Sequence, residues 1–447
     1  MTKQINTDSF EKVIQLLDNG ENIFITGGGG VGKSFLLNNL KKHYKDDLSL
    51  TSTTGISAIN IGGQTLHSWA GIGIADKPVN DTVKKIKNRS SLFKQLNKCK
   101  KLAIDEISML DNLTMDYVNE VLKQVRGTDR PFGGIQIILV GDFFQLPPVK
   151  IDQIEEKDFC FNSSAWKELN LTTVFLQTVY RQSDKNFIEA LNNVRINKTA
   201  ARDLEVFYNR SFSYDYEPDK DILQIFGTNR DADNYNEKCF NELKSKAYTY
   251  KSKDTLYQYS LTDDTCTAID LKDDEASNLN QYDAKCIEQF NKDCKAPRNL
   301  ELKEGCRVIL LKNIDISNGL VNGSCGTVKK LAPSSIYVLF DNGQSIHLEP
   351  EEFEYSTEGK PKIIRNQYPL RLAYGITIHK SQGMTFDKLV VNFSKIFDYG
   401  QAYVALSRAT NLNGLIIKGF NHHKIIANKK VVNFYKNLKS DKKCILI

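Results

Sequence analysis

The sequence predicts an α/β fold, because apolar runs of strand length end in polar motifs and alternate with helical stretches. Three runs carry the prediction: Ile23-Phe24-Ile25, Leu102-Ala103-Ile104 and Ile135-Gln136-Ile137-Ile138-Leu139-Val140. Near-continuous apolar runs suit parallel strands covered on both faces. A glycine-rich loop follows the first, Asp105-Glu106 the second and Gly141-Asp142 the third. Open parallel sheets hold ligands at the carboxyl ends of their strands, where these motifs fall.

In chain order, residues 9–18 read as an amphipathic helix with Phe10, Val13, Ile14 and Leu17 on one face, ended by Asn19-Gly20. The first strand enters Gly27-Gly28-Gly29-Gly30-Val31-Gly32-Lys33-Ser34, and Phe35 opens the helix that leaves it. This is the phosphate-loop spacing, in the strand–loop–helix setting that it requires. Glycines let successive N–H groups turn inward around phosphate oxygens, and the helix N-terminus adds partial positive charge. Lys33 brings a point charge to the outer phosphates and Ser34 a hydroxyl for Mg²⁺. A plain glycine turn would leave Lys33, Ser34 and both flanks as coincidence.

Leu50-Thr51-Ser52 reads as a short strand that turns into a helix through Thr53-Thr54-Gly55. Residues 62–69 read as a loop carrying His67 and Trp69, side chains that usually pack. Between Asp76 and Lys101 nine Lys or Arg face two Asp, a balance of +7, beside Val83, Ile86, Phe93 and Leu96 at helical spacing. That is a contact surface for polyanions or a solvated helix face. Downstream of a phosphate loop, Asp105 is placed to hold Mg²⁺ and Glu106 to take a proton from an attacking water. Gln145, in Gly141-Asp142-Phe143-Phe144-Gln145-Leu146-Pro147-Pro148, lies where a side-chain amide senses a terminal phosphate. Together these strands make one RecA-like nucleotide domain.

Residues 186–196 read as a helix after Tyr180-Arg181-Gln182, and residues 222–229 as strand then loop. Between Asp254 and Asp293 ten acids face three lysines, a balance of −7, so residues 246–300 read as a mobile surface insertion. Short strands follow at 307–311, 326–328, 335–340 and 344–348, the last pair joined by Asp341-Asn342-Gly343. They suggest a small β-barrel. The α/β pattern resumes at Leu370, meets His379-Lys380-Ser381-Gln382-Gly383, and continues through a strand at 388–393 to a helix at 401–409 that carries Arg408.

A net charge of +6 is mild for 447 residues and identifies no partner by itself. The nine cysteines form no Cys-x-x-Cys pair, which argues for free thiols in a reducing compartment and against zinc. No apolar run reaches the ~18–20 residues of a membrane span, and Met1–Asn6 has no signal core. The expected setting is intracellular, nuclear or cytoplasmic, not secreted and without stable membrane association. Cys444-Ile445-Leu446-Ile447 fits the C-a-a-X prenylation form, a match that arises often by chance.

Six ordered segments now stand together: Gly32-Lys33-Ser34, Asp105-Glu106-Ile107-Ser108-Met109, Gly141–Pro148, Tyr180-Arg181-Gln182, His379-Lys380-Ser381-Gln382-Gly383-Met384-Thr385 and Tyr403-Val404-Ala405-Leu406-Ser407-Arg408. In this order they resemble the Pif-type (petite integration frequency) DNA helicases, a RecD-like branch of helicase superfamily one. The likeness runs over residues 20–420 and includes Leu320-Val321-Asn322-Gly323. It implies two RecA-like P-loop domains with ATP and Mg²⁺ between them. The first would span 1–175, with a basic wedge at 70–101. The second would span 176–245 and 366–447, with the acidic segment and a Src-homology-three-like barrel inserted at 246–365. It also implies a monomeric motor that moves 5′ to 3′ on single-stranded DNA and opens forked duplex DNA. Gln145, Arg181 and Arg408 would then meet the terminal phosphate, Gly383 the nucleotide, and Thr54, His67, Thr377, His379 and Ser381 the DNA.

The sequence departs from the resemblance in places. The adenine-reading glutamine upstream of the loop has no counterpart near Phe10, leaving Gln4 as the candidate, and Thr53 replaces a common proline. The long N-terminal extension of many eukaryotic members is missing. Two other functions compete: a P-loop ATPase that switches partners without unwinding, and a binding module with a dead nucleotide site. Arg181 and Arg408 on separate segments disfavour the first. Intact Lys33, Asp105, Glu106 and Gln145 disfavour the second.

Overall fold

A computed structural model describes residues 7–73, 75–148, 157–259, 266–271, 284, 286–288, 290–291, 294, 296–315, 317–355 and 362–447. Gln4 and most of the acidic stretch, at 260–265 and 272–283, lie outside them. The chain divides into two compact units, Met1–Asp215 with Val391–Ile447, and Tyr216–Val390.

The first unit is built on a parallel sheet. Its strands are β1 (Ile23–Thr26), β2 (Leu48–Ser52), β3 (Gln64–Thr65), β4 (Lys101–Asp105), β5 (Gln136–Gly141) and β6 (Thr172–Phe175), completed by Cys444–Leu446. The spatial order is Cys444–Leu446, β6, β1, β5, β4, β2, β3, and every pairing is parallel. Side chains alternate between two covered faces. Phe24, Leu102, Ile104, Ile137 and Leu139 enter one core, with Trp69 and the helix Asn112–Arg126. Ile23, Ile25, Ala103, Ile138 and Val140 enter the other, under the helices Thr7–Asp18 and Lys33–Tyr44. Double coverage is why these strands lack polar alternation in the sequence.

One expectation changes here, and two other readings gain detail. His67 and Trp69 lie on a short helix, Leu66–Trp69, rather than a loop, because Thr65 Oγ1 accepts the Ser68 N–H and caps it. The basic segment is two helices, Val79–Lys87 and Ser90–Lys98. The break at Asn88-Arg89 resets the helical phase, so Leu92 joins Val83, Ile86 and Leu96 in the core and Phe93 packs against it partly buried. The C-terminal tail pairs with β6, Cys444 opposite Thr173, so a lipid on Cys444 would require the strand to leave the sheet.

In the second unit, Gln224–Phe226 pairs in parallel with Gly375–Thr377 beside the helix Asn229–Glu242, which Thr228 caps. A five-stranded antiparallel sheet runs in linear order Ser345–Leu348, Ser335–Phe340, Cys325–Ala332, Arg307–Leu310, Leu370–Leu372. The reading of 246–300 as a coreless insertion is corrected. Ala247–Lys251 pairs with Asn299–Lys303, and Lys253–Tyr259 lies between Cys266–Asp270 and Lys362–Gln367. Leu256, Cys286, Phe290 and Ile363 form a small core there.

Beside that core the Arg365 guanidinium donates to Asp254 at 2.6 Å and 2.9 Å and to the Ala296 carbonyl at 2.9 Å. Both side chains are buried. Truncating one partner strands a buried charge, which costs roughly 3–5 kcal/mol. We predict that Asp254→Ala lowers unfolding free energy by about this amount; a loss below about 1 kcal/mol in denaturant melts, the worth of an exposed pair, would contradict it.

Candidate nucleotide site and family assignment

β1 delivers the chain to a loop that only glycine can form. Gly27, Gly30 and Gly32 have φ of 150°, 81° and 88°. A Cβ on Gly27 would sit 2.5 Å from the Leu176 carbonyl oxygen, and one on Gly30 2.6 Å from the Arg181 Cβ. Val31 is buried beneath the loop, Gly28 lies beside the Tyr403 hydroxyl, and Ser34 and Phe35 face solvent at the start of the helix. Lys33 Nζ donates to the Gly27 and Gly28 carbonyls, each at 2.8 Å. Burial lowers its pKa, and the nearby charges of Asp142, Glu106 and Asp105 work against that shift.

β4 ends in Asp105, and Glu106 follows in the left-handed region at φ 53°. For a non-glycine residue this costs roughly 1–3 kcal/mol, and such strain concentrates at functional sites. Thr53 Oγ1 holds the turn by donating to the Glu106 carbonyl at 2.9 Å, and the Glu106 N–H donates to Asp105 Oδ1 at 2.9 Å. Burial, then the Glu106 charge, pushes the Asp105 carboxyl well above the usual carboxylate range.

β5 leads into Asp142, whose carboxylate shapes the loop to Gln145. It accepts the Phe144 N–H at 3.2 Å, while its backbone carbonyl accepts the Gln145 N–H at 2.9 Å. The Arg195 guanidinium donates to both Asp142 oxygens, at 2.8 and 2.6 Å, and lies 4.6 Å from the Phe144 ring centroid. Tyr435, from the helix Lys429–Ser440, adds a hydroxyl 2.6 Å from Thr26 Oγ1 and accepts the Phe143 N–H at 3.2 Å. The sequence reading missed Arg195, Tyr403 and Tyr435. Arg195 left one signal: it follows Leu191 by four residues on the buried face that Phe187 and Val194 share.

Arg181 and Arg408 come together. Arg181 Nη1 donates to the Ser407 carbonyl at 3.1 Å. Arg408 Nε donates to the Val404 carbonyl at 2.8 Å and its Nη2 to Ser407 Oγ at 2.9 Å. Burial, then repulsion from Arg181, pushes the Arg408 pKa down to about 9. A half-buried and a buried cation this close make a strong demand for an anion.

In the same unit Thr54 Oγ1 accepts the Ser57 N–H at 3.2 Å, and His67 is half-buried with its pKa lowered by burial. In the second unit Thr377 caps the turn Ile378–Ser381 by accepting the Lys380 N–H, and Ser381, fully buried, donates to the Ile378 carbonyl. His379 is exposed on that turn, and Gly383 leaves it at φ 78°.

A family model described as PIF1-like helicase matches residues 3–203, and one described as DNA helicase Pif1, 2B domain, matches residues 287–331. The ATP-dependent DNA helicase PIF1 of Xenopus laevis is 34% identical over 453 residues, covering 99% of this chain and 66% of that protein. A crystal structure of Pif1 helicase from Candida albicans is 34% identical, with a TM-score of 0.77, covering 97% of this chain and 100% of that one. The chain belongs to the PIF1-like helicase family. Another PIF1-like structure, from Bacteroides in complex with ADP-AlF3 and single-stranded DNA, is 29% identical with a TM-score of 0.68 and covers 99% of both chains. The chain spans 56–66% of the length of the Xenopus protein and of three more curated PIF1 relatives. The 2B match overlaps the strands Asn299–Lys303, Arg307–Leu310 and most of Cys325–Ala332.

Proposed function

We propose that this chain is an ATP-dependent DNA helicase that moves 5′ to 3′ on single-stranded DNA and opens forked duplexes, acting as a monomer. The observation that carries the proposal is the pairing of half-buried Arg181 with buried Arg408 beside a phosphate loop with Lys33 and Glu106 in place. The nucleotide and its cation fit the residues present: the glycines form a cradle that a Cβ would fill, and Asp105 and Glu106 place two like charges together. Among the described residues no group of three or more His, Cys, Asp or Glu gathers into a metal cage. Ser34 and Asp105 would therefore hold Mg²⁺ together with phosphate oxygens, and the ion would neutralise phosphate charge.

The protein's own residues do the rest. Lys33 exchanges its two carbonyl partners for phosphate oxygens, and Glu106 takes the proton of the attacking water. Gln145, fixed by the Asp142–Arg195 pair, sits at the strand end to sense the terminal phosphate, and the arginines stabilise charge on the transferring group. The basic helices at 76–101 serve as the wedge. Thr54, His67 and His379 contact DNA, with Thr377 and Ser381 shaping the turn that presents His379. Strand displacement with ATP on 5′-tailed and 3′-tailed duplexes tests the reading: opening of the 5′-tailed substrate alone is expected, and opening of neither would overturn it.

The wedge has its own test. Lys84, Lys85 and Lys87 are exposed on the outer face of their helix, away from the core that Val83 and Ile86 enter. Each phosphate contact contributes about 0.9 to the slope of log affinity against log salt. Neutralising Lys84, Lys85, Lys87 and Arg89 is expected to flatten that slope for forked DNA and reduce unwinding, with basal ATPase unchanged. An unchanged slope with unchanged unwinding would identify a solvated face.

A further inference from the structure

The Gly29 N–H donates to the Tyr403 hydroxyl at 2.6 Å, across 374 residues of chain. This amide belongs to the phosphate loop, so the phenol oxygen occupies an acceptor position on a phosphate-binding donor. The surroundings identify which phosphate. A Cβ built on Gly29 would lie 3.4 Å from the Tyr403 hydroxyl, 3.4 Å from Ser407 Oγ and 3.5 Å from Arg181 Nη1. Ser407 Oγ in turn accepts from Arg408. The amide, the phenol and both arginines thus converge at the end of the loop assigned to the terminal phosphate. Tyr403 is buried, and burial pushes its pKa up, so the hydroxyl keeps its proton.

We propose that Tyr403 discriminates triphosphate from diphosphate: its hydroxyl holds the Gly29 N–H until the terminal phosphate arrives, then donates its own proton to a phosphate oxygen. A phenol can do both because it carries one donor and acceptor lone pairs. The exchange replaces a neutral bond with a charge-assisted one, about twice as strong, so it favours the triphosphate complex. Tyr403 lies on the helix Gln401–Leu406, whose leading Gly400 packs so closely that a Cβ there would sit 2.3 Å from the Gln145 carbonyl oxygen. A change at the phenol therefore reaches both Arg408 and the Gln145 loop through one short helix.

The inference rests on the nucleotide reading above, and the test separates the two. Affinities for ADP and for a non-hydrolysable ATP analogue, each with Mg²⁺, are measured for the unmodified chain and for Tyr403→Phe, which keeps the ring. If the unmodified chain binds neither, the nucleotide reading fails and this inference with it. If both bind, Tyr403→Phe is expected to weaken the ATP analogue about five- to ten-fold, the difference between charged and neutral hydrogen bonds, and to leave ADP unchanged. Tighter analogue binding would make Tyr403 a mere competitor, an equal loss for ADP would make it structural, and an unmoved ratio would make it a bystander. Each of these overturns the inference while the nucleotide reading stands.

Discussion

Replacing Arg408 with alanine is expected to lower DNA-stimulated ATP turnover by about 10³–10⁵-fold while ADP still binds. The size follows from where the charge is kept. An exposed arginine in a surface pair is worth roughly 1 kcal/mol or less, because water screens it and the side chain loses freedom. Arg408 is in the opposite situation, 2% exposed and destabilised as a cation by burial and by Arg181. Glu106 offsets only part of that penalty. A transferring phosphoryl group would supply the missing negative charge, with the relief greatest in the transition state. Nε and Nη2 are already oriented by Val404 and Ser407, so little reorganisation is needed. Arg408→Lys is expected to recover only a small part of the turnover, because an ammonium cannot reproduce two fixed N–H directions. Turnover of Arg408→Ala within a few-fold of the unmodified chain would remove Arg408 from the reaction.

What the sequence made legible here was whatever lies close along the chain. The phosphate loop could be read because its glycines, Lys33 and Ser34 sit within eight residues and each has a local reason to be there. β1, β4 and β5 were equally plain, since double coverage leaves uninterrupted apolar runs. Residues that depend on distant partners were not legible. The Gly29–Tyr403 bond closes 374 residues and the Tyr435–Asp142 contact 293, and no local spacing encodes either. Asp254 misled for the same reason. It sits among acids and looks solvated until Arg365, 111 residues on, is folded beside it. Trp69 went the other way: its packing was readable from residue type, but its short helix depends on the Thr65 cap.

Lys33 and Glu106 should separate binding from chemistry. Lys33→Ala is expected to abolish turnover. It removes the point charge for the outer phosphates from a place where Asp142, Glu106 and Asp105 already contribute negative potential. Without it, a nucleotide's phosphates would meet that field uncompensated. Glu106→Gln is expected to bind ATP and hydrolyse it about 10²–10⁴-fold more slowly, the range for losing a positioned general base. The amide keeps the size of the side chain and leaves the left-handed turn intact, so folding should not suffer. Electrostatics pulls both ways: losing the Glu106 charge relieves Asp105 but removes an attraction to Lys33, Arg181 and Arg408. Asp105 is an acid whose folded-state pKa is raised, so its ionisation costs stability as pH rises from the unfolded value toward the folded one. Removing the Glu106 charge removes part of that cost near neutral pH. With these terms opposed, Glu106→Gln should melt close to the unmodified chain at pH 7 while its turnover collapses. Near-normal turnover in either variant would show that the reaction is carried elsewhere, and a large drop in melting temperature for Glu106→Gln would show that the carboxylate holds the fold.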